Sequence, residues 1–162
     1  MPGARRVECL VFLEPGARSL EPDMPFVRDE AHWLFKLSPD EWIRAAMGEL
    51  RRAEDAYARK NGRAGLAGAR RAAGMALNAL LIVHPNDAWG RSYMDHLLAL
   101  RRDGSESTPA RIREACAILV DTPLPGGELV AIRTSNADER VLEAARDVVA
   151  HAYAMVKRSG EA

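Results

Sequence analysis

Lysine is nearly missing from this chain. Lys36, Lys60 and Lys157 are the only ones, so almost all positive charge resides on arginine, the bias of a GC-rich coding sequence. Net charge is missing too, with 23 basic residues balancing 23 acidic ones. Without a global field, long-range attraction to nucleic acid or an anionic membrane is not indicated. Cysteine is limited to Cys9 and Cys116, whose separation matches no metal or redox spacing; both are expected to be reduced and structural. Aromatic residues make up 6% of the chain while alanine is abundant, which favours helices over sheets. The opening MPGARRVECLVFLEPG has only a few apolar residues before Glu14 and Pro15, too few for a signal peptide, so a cytoplasmic location is expected. There is no phosphate-cradling glycine loop, zinc spacing, nucleophile elbow or paired-carboxylate metal site. Glu-x-x-His motifs of the ferritin-like kind are missing as well. No cofactor and no metal are therefore expected.

What the sequence does contain is organised around Gly62–His84. From Ala72 to Val83 the chain reads AAGMALNALLIV, with Asn78 its single polar side chain. A helix apolar nearly all round must be buried on nearly all sides. Glycine inside a helix costs about 0.5–1 kcal/mol relative to alanine, so Gly65, Gly68 and Gly74 point to tight contacts that offset the cost. The apolar run is too short, and too close to Arg70 and Arg71, for a membrane span of about twenty residues. At 162 residues, 48% hydrophobic and 28% charged, one domain is expected, with no repeat or low-complexity tract.

Residues 1–37 form an opening arm. Val7–Leu13 suits a short strand or extended segment, and Pro15, Gly16, Pro22 and Pro25 break regular structure. His32–Leu37 (HWLFKL) is apolar enough to require packing on the rest. Ser38-Pro39-Asp40-Glu41 is a capping box with proline at the first helical position. It predicts a helix with Ile43, Ala46, Met47, Leu50, Ala53 and Tyr57 on its inner face. The break at Asn61-Gly62 predicts a helical hairpin with the central helix. His84-Pro85 ends that helix, Ser92 caps a third helix through Arg102, and Thr108-Pro109 starts a fourth, with Ile112, Cys116 and Leu119 or Val120 inside. Asp121–Asn136 is a long connection, partly extended over Leu129–Ile132, before a last helix from about Ala137 to Lys157. The fold class is all-α: an up-and-down bundle of about five helices over residues 38–158, with the N-terminal arm packed on it.

This order of elements, with ALNALLIV, the His-bearing RSYMDHLLAL, and the long loop before a C-terminal Ala/Val helix, resembles the HEPN family (higher eukaryotes and prokaryotes nucleotide-binding domain). The resemblance covers roughly Ser38–Arg158. It implies a helical bundle that usually dimerises. Some members resemble metal-independent RNases, among them toxins paired with a minimal nucleotidyltransferase, and carry an Arg followed by a His at Arg-x4-6-His spacing. Others act as binding or assembly modules.

Two stretches match that spacing, Arg91–His96 and Arg146–His151, the second continuing to Tyr153. With twenty arginines and four histidines in the chain, about 1.5 such matches arise by chance, so geometry must discriminate. Residues five apart in a helix point about 140° away from each other, which separates Arg146 from His151. Asp147 is placed to pair with His151. Arg91, outside the Ser92 cap, is free to turn toward the first-turn His96, making this the preferred catalytic pair; its structural alternative has His96 capping or bonding a neighbouring helix. His32 and His84 have no partner at catalytic spacing. Were a pair catalytic, His would take the 2′-hydroxyl proton and Arg would steady the phosphorane charge.

A basic stretch is the remaining feature. Arg59, Lys60, Arg63, Arg70 and Arg71, with Arg51 and Arg52, offer a phosphate-binding surface at one end of the hairpin, or a solvated face. The sequence thus supports a nucleotide- or RNA-linked binding module of a toxin–antitoxin or defence-type system. Its alternatives are a metal-independent endoribonuclease at a dimer cleft and a non-catalytic interaction module. A homodimer, a nucleotidyltransferase partner and no membrane association are expected.

Overall fold

Ser38 opens the first helix through a reciprocal cap in the computed structural model, which describes residues 32–125 and 135–161. Its hydroxyl accepts the Glu41 N–H at 3.2 Å, and the Glu41 carboxylate accepts the Ser38 N–H at 2.7 Å. Helix α1 (Pro39–Ala58) turns back through Lys60, at a left-handed φ of 63°, into α2 (Gly62–Val83), whose first turn is capped by Asn61. Then follow α3 (Tyr93–Arg102), α4 (Ala110–Asp121) and α5 (Ser135–Glu161). No strand occurs among the described residues. The expected strand at Val7–Leu13, the extended Leu129–Ile132, Cys9 and most of the arm lie outside them.

Helix α2 touches all four other helices and is the axis of the bundle. Leu66 and Leu77 of α2 and Leu97, Leu100 and Leu119 of its neighbours are fully buried, each stabilising the fold by about 1.5–3 kcal/mol. The helical glycines are notches for neighbours. A Cβ on Gly65 would come within 2.6 Å of the Tyr57 ring, one on Gly68 within 3.1 Å of Ala53, and one on Gly74 within 2.3 Å of Tyr93. By length and composition alone, the 22 residues of α2 are apolar enough to cross a bilayer, contrary to the estimate from its uninterrupted apolar run. What identifies it as a core helix is its cover of four helices, with Arg70 and Arg71 halfway along.

Several expectations change in detail. Met47 is 46% exposed rather than on the inner face of α1, and Glu49 is buried two residues on. Burial pushes the Glu49 carboxyl upward. Hydrogen bonds from Arg52 and Arg71 outweigh that and hold it below its ordinary value. The α4 cap is Pro109, without a side-chain bond, while the Thr108 hydroxyl donates to Asp103 at 2.6 Å to shape the preceding loop. Cys116 is a buried free thiol, pushed by desolvation up to about 12. Residues 32–37 pack on the bundle as expected, Leu34 buried and Trp33 and Phe35 against the core.

Candidate functional site

The three tryptophans gather at one end of the bundle. Trp33 meets Trp42 edge to face at 6.4 Å between centroids and lies nearly parallel to the His96 ring at 6.5 Å. Trp89 lies 6.4 Å from the same imidazole, which brings all three tryptophans of the chain together. Each is held by local chemistry. Trp42, in the first turn of α1, donates its indole N–H to the Leu34 carbonyl at 2.8 Å and so fastens a 3-10 turn over Trp33–Lys36. Asn86 caps a second 3-10 turn over Asp87–Trp89. Gly90 then takes φ 69°, and a Cβ there would meet Asp95 at 2.7 Å, so both conformation and space require glycine. The Asp95 carboxylate accepts the Ser92 and Arg91 N–H groups at 3.1 and 3.4 Å. Hydrogen bonds from Ser92 hold it below the usual carboxylate range.

Between the aromatic turn and this loop opens a cleft of about 520 Å³, lined among others by His32, Trp33, Phe35, Leu81, Asp87 and Arg91. Its size falls within that of small-molecule sites. His32 Nδ1 accepts the Leu34 N–H at 3.3 Å. The neutral His32 ring therefore carries its proton on Nε2 and acts there as a donor. Arg91 adds a charged donor group, Asp87 an acceptor, and Trp33 and Phe35 an aromatic lining.

His96 lies beneath this cleft and is fully buried. Its Nδ1 is 2.9 Å from the Trp89 carbonyl, and its Nε2 is 2.9 Å from the Asn78 amide. A carbonyl only accepts, so the ring proton sits on Nδ1 and Nε2 becomes an acceptor. Asn78 stands with Oδ1 toward Nε2, while its buried Nδ2 lacks a partner among the described residues. With the neutral ring, turning the amide by half a turn sets an N–H on Nε2 and gives Nδ2 a partner. Desolvation lowers the His96 pKa, against smaller opposing effects of Trp89 and Asp95, in keeping with that neutral form.

The structure does not bring the preferred catalytic pair together. Arg91 is exposed in the cleft, but His96 is sealed below it with both nitrogens occupied, so the two do not converge on an accessible site. His96 instead bonds a neighbouring helix, the alternative its position allowed. The second pair also separates. Arg146 is held by Glu54 and Glu139, both at 2.8 Å. His151 lines a different cavity with His84 and Met155. Asp147 does not pair with His151 but takes Arg111 through two bonds of 2.9 and 2.7 Å, tying α4 to α5. Burial, then Arg158, lowers the His151 pKa. Tyr153 is 48% exposed, with Lys157 over its ring.

The basic stretch divides in two. Arg70 donates to the carbonyls of Leu119, Val120 and Thr122 at 2.7, 3.2 and 2.7 Å, closing the C-terminus of α4. Arg71 donates to Glu49 at 2.9 Å. Arg70 is half-buried and Arg71 exposed, and each is engaged with another element of the fold. Arg59, Lys60 and Arg63 are exposed at the hairpin tip and form no ion pair among the described residues. The cleft residues His32, Trp33, Phe35 and Asp87 were not singled out by motif spacing. Their signal was the clustering of HWLF and AWG in a chain otherwise poor in aromatics. No family model matches the chain, nor does any curated protein or solved structure.

Proposed function

We propose that this protein is a nucleotide-linked binding module of the HEPN kind, and that the cleft between Trp33 and Arg91 is its ligand site. One observation carries the reading: two residues able to donate hydrogen bonds, Arg91 and His32, line the same cleft as the aromatic Trp33 and Phe35. Donors of this kind suit a phosphate, with the planar guanidinium able to bind it bidentately. An aromatic face suits a base, at about 1–3 kcal/mol per stacked base. The exposed cations Arg59, Lys60 and Arg63 add a separate polyanion surface at the far end of the hairpin. A homodimer and a nucleotidyltransferase partner belong to the same proposal, Met47 and Tyr153 being exposed apolar side chains available to a partner.

A metal-independent endoribonuclease is the lesser reading, because neither Arg/His pair offers a free base beside a free cation. Arg91 and His32 share a cleft, but the His32 Nδ1 lone pair is taken up by the Leu34 N–H and is not free to act as a base. Calorimetric titration of AMP, ATP and short single-stranded RNA tests the proposal. Binding is expected, weakened about tenfold or more by Arg91→Ala and similarly by Trp33→Ala. Absence of binding by all three ligands overturns it. Metal-free RNA cleavage lost on Arg91→Ala or His32→Ala would establish the nuclease instead.

A further inference from the structure

We propose that His96 is the positioning residue of the cleft, acting through its Nδ1–H bond to the Trp89 carbonyl; this rests on the cleft being the ligand site. The two walls belong to segments far apart in the chain, the turn at Trp33–Lys36 and the loop at Pro85–Arg91. His96 engages both. Its ring lies against Trp33 at an interplanar angle of 16°, and its Nδ1 holds the loop at Trp89. Its Nε2 is anchored to Asn78 in the C-terminal half of α2, the central helix. The Trp89 carbonyl sits two residues before Arg91, with the left-handed Gly90 between them. The loop has its own supports at Asn86 and Asp95, but neither reaches across to α2 or to the aromatic turn. Through contacts at hydrogen-bond distance to Trp89 and Asn78 and its stacking on Trp33, His96 joins the three elements that set the spacing between the aromatic turn and the cation.

The two nitrogens have separable mimics. Asparagine places its amide N–H close to the position of Nδ1, whereas glutamine reaches the position of Nε2. His96→Asn thus keeps the loop bond and loses the Asn78 bond, and His96→Gln does the reverse. Both create a packing defect and should lower the melting temperature. If His96 only stabilised the core, AMP affinity would follow stability in both variants alike. As a positioning residue, it predicts affinity close to native in His96→Asn and about fivefold or more weaker in His96→Gln. Equal affinity in the two variants overturns the proposal. If the native protein binds no AMP, the ligand reading fails, and the positioning role is read separately from the backbone amide resonances of Gly90 and Arg91. These should move in His96→Gln and stay in place in His96→Asn; unmoved resonances in His96→Gln overturn it. Should either variant fail to fold, long-range nitrogen NMR of the native imidazole decides. A proton on Nδ1 with Nε2 unprotonated supports the bond, and the opposite tautomer sinks it.

Discussion

Tyr93 lies so close over Gly74 that a Cβ on the glycine would stand 2.3 Å from the tyrosine Cβ. That contact lets α3 dock on α2, and it fixes the sign of a substitution. Alanine elsewhere in a helix gains about 0.5–1 kcal/mol over glycine. At Gly74 the clash involves an atom next to the backbone, so α3 itself must shift. Overpacking of this kind costs about 1–3 kcal/mol, and it outweighs the gain. A Cβ on Gly48 would meet nothing within 4 Å. Urea denaturation should therefore find Gly74→Ala destabilised and Gly48→Ala stabilised; a neutral or stabilised Gly74→Ala contradicts the packing.

Acid should weaken the fold in two separate ranges. Burial depresses His96 and, less completely enclosed, His151. The unfolded chain then binds more protons than the folded one, so stability rises with pH across that range. The contribution is complete above the unfolded histidine value of about 6.5 and is lost as pH falls toward the folded value, at up to about 1.4 kcal/mol per pH unit and group. Glu49 and Asp103, both held low by hydrogen bonds in the fold, lose their contribution only below the ordinary carboxylate range. His96→Asn should flatten the slope between about pH 6.5 and 5 while leaving the lower limb intact. A variant with the native slope would show that His96 is not depressed.

The arginines at the hairpin should sort by partner. Arg70→Ala frees the last carbonyls of α4 and is expected to cost about 1–3 kcal/mol. Arg63→Ala and Lys60→Ala, both exposed, should change stability by no more than about 0.5 kcal/mol. If the tip binds polyanions, these two should reduce the slope of log affinity against log salt for single-stranded RNA by about 0.7 each. Melting curves and fluorescence anisotropy across a salt series measure both effects. Loss of stability in the tip variants, or none in Arg70→Ala, reverses the assignment.

Gly90→Ala should damage the cleft without touching the core. Its φ of 69° and its approach to Asp95 put strain on any side chain there. A loss of about 1–3 kcal/mol is expected, together with weakened AMP binding. Native affinity in a folded Gly90→Ala protein would separate this loop from the ligand site.

Local chemistry made much of the fold legible. Ser38 and Ser92 cap helices through bonds to residues three positions on, and the glycines of α2 announced their notches by their cost. Contacts across the chain were not legible. Glu49 lies on the face where periodicity calls for an apolar residue. It is buried because Arg71 of the next helix neutralises it. Asp147 has a histidine one turn away, yet Arg111 on another helix takes it. The cleft joins Trp33 to Arg91 across most of two helices, a distance at which spacing rules are silent. His96 was readable as a structural residue, but its partners Asn78 and Trp89 were not.

The clustering of Trp33, Trp42 and Trp89 has a spectroscopic consequence. Intrinsic tryptophan emission can report only the cleft end of the bundle, whereas far-ultraviolet circular dichroism sums over every helix. Superimposable unfolding curves from the two signals would mean that the hairpin tip and the cleft melt as one cooperative unit. An earlier emission change would mean that the cleft end opens while the α1–α2 hairpin is still wound.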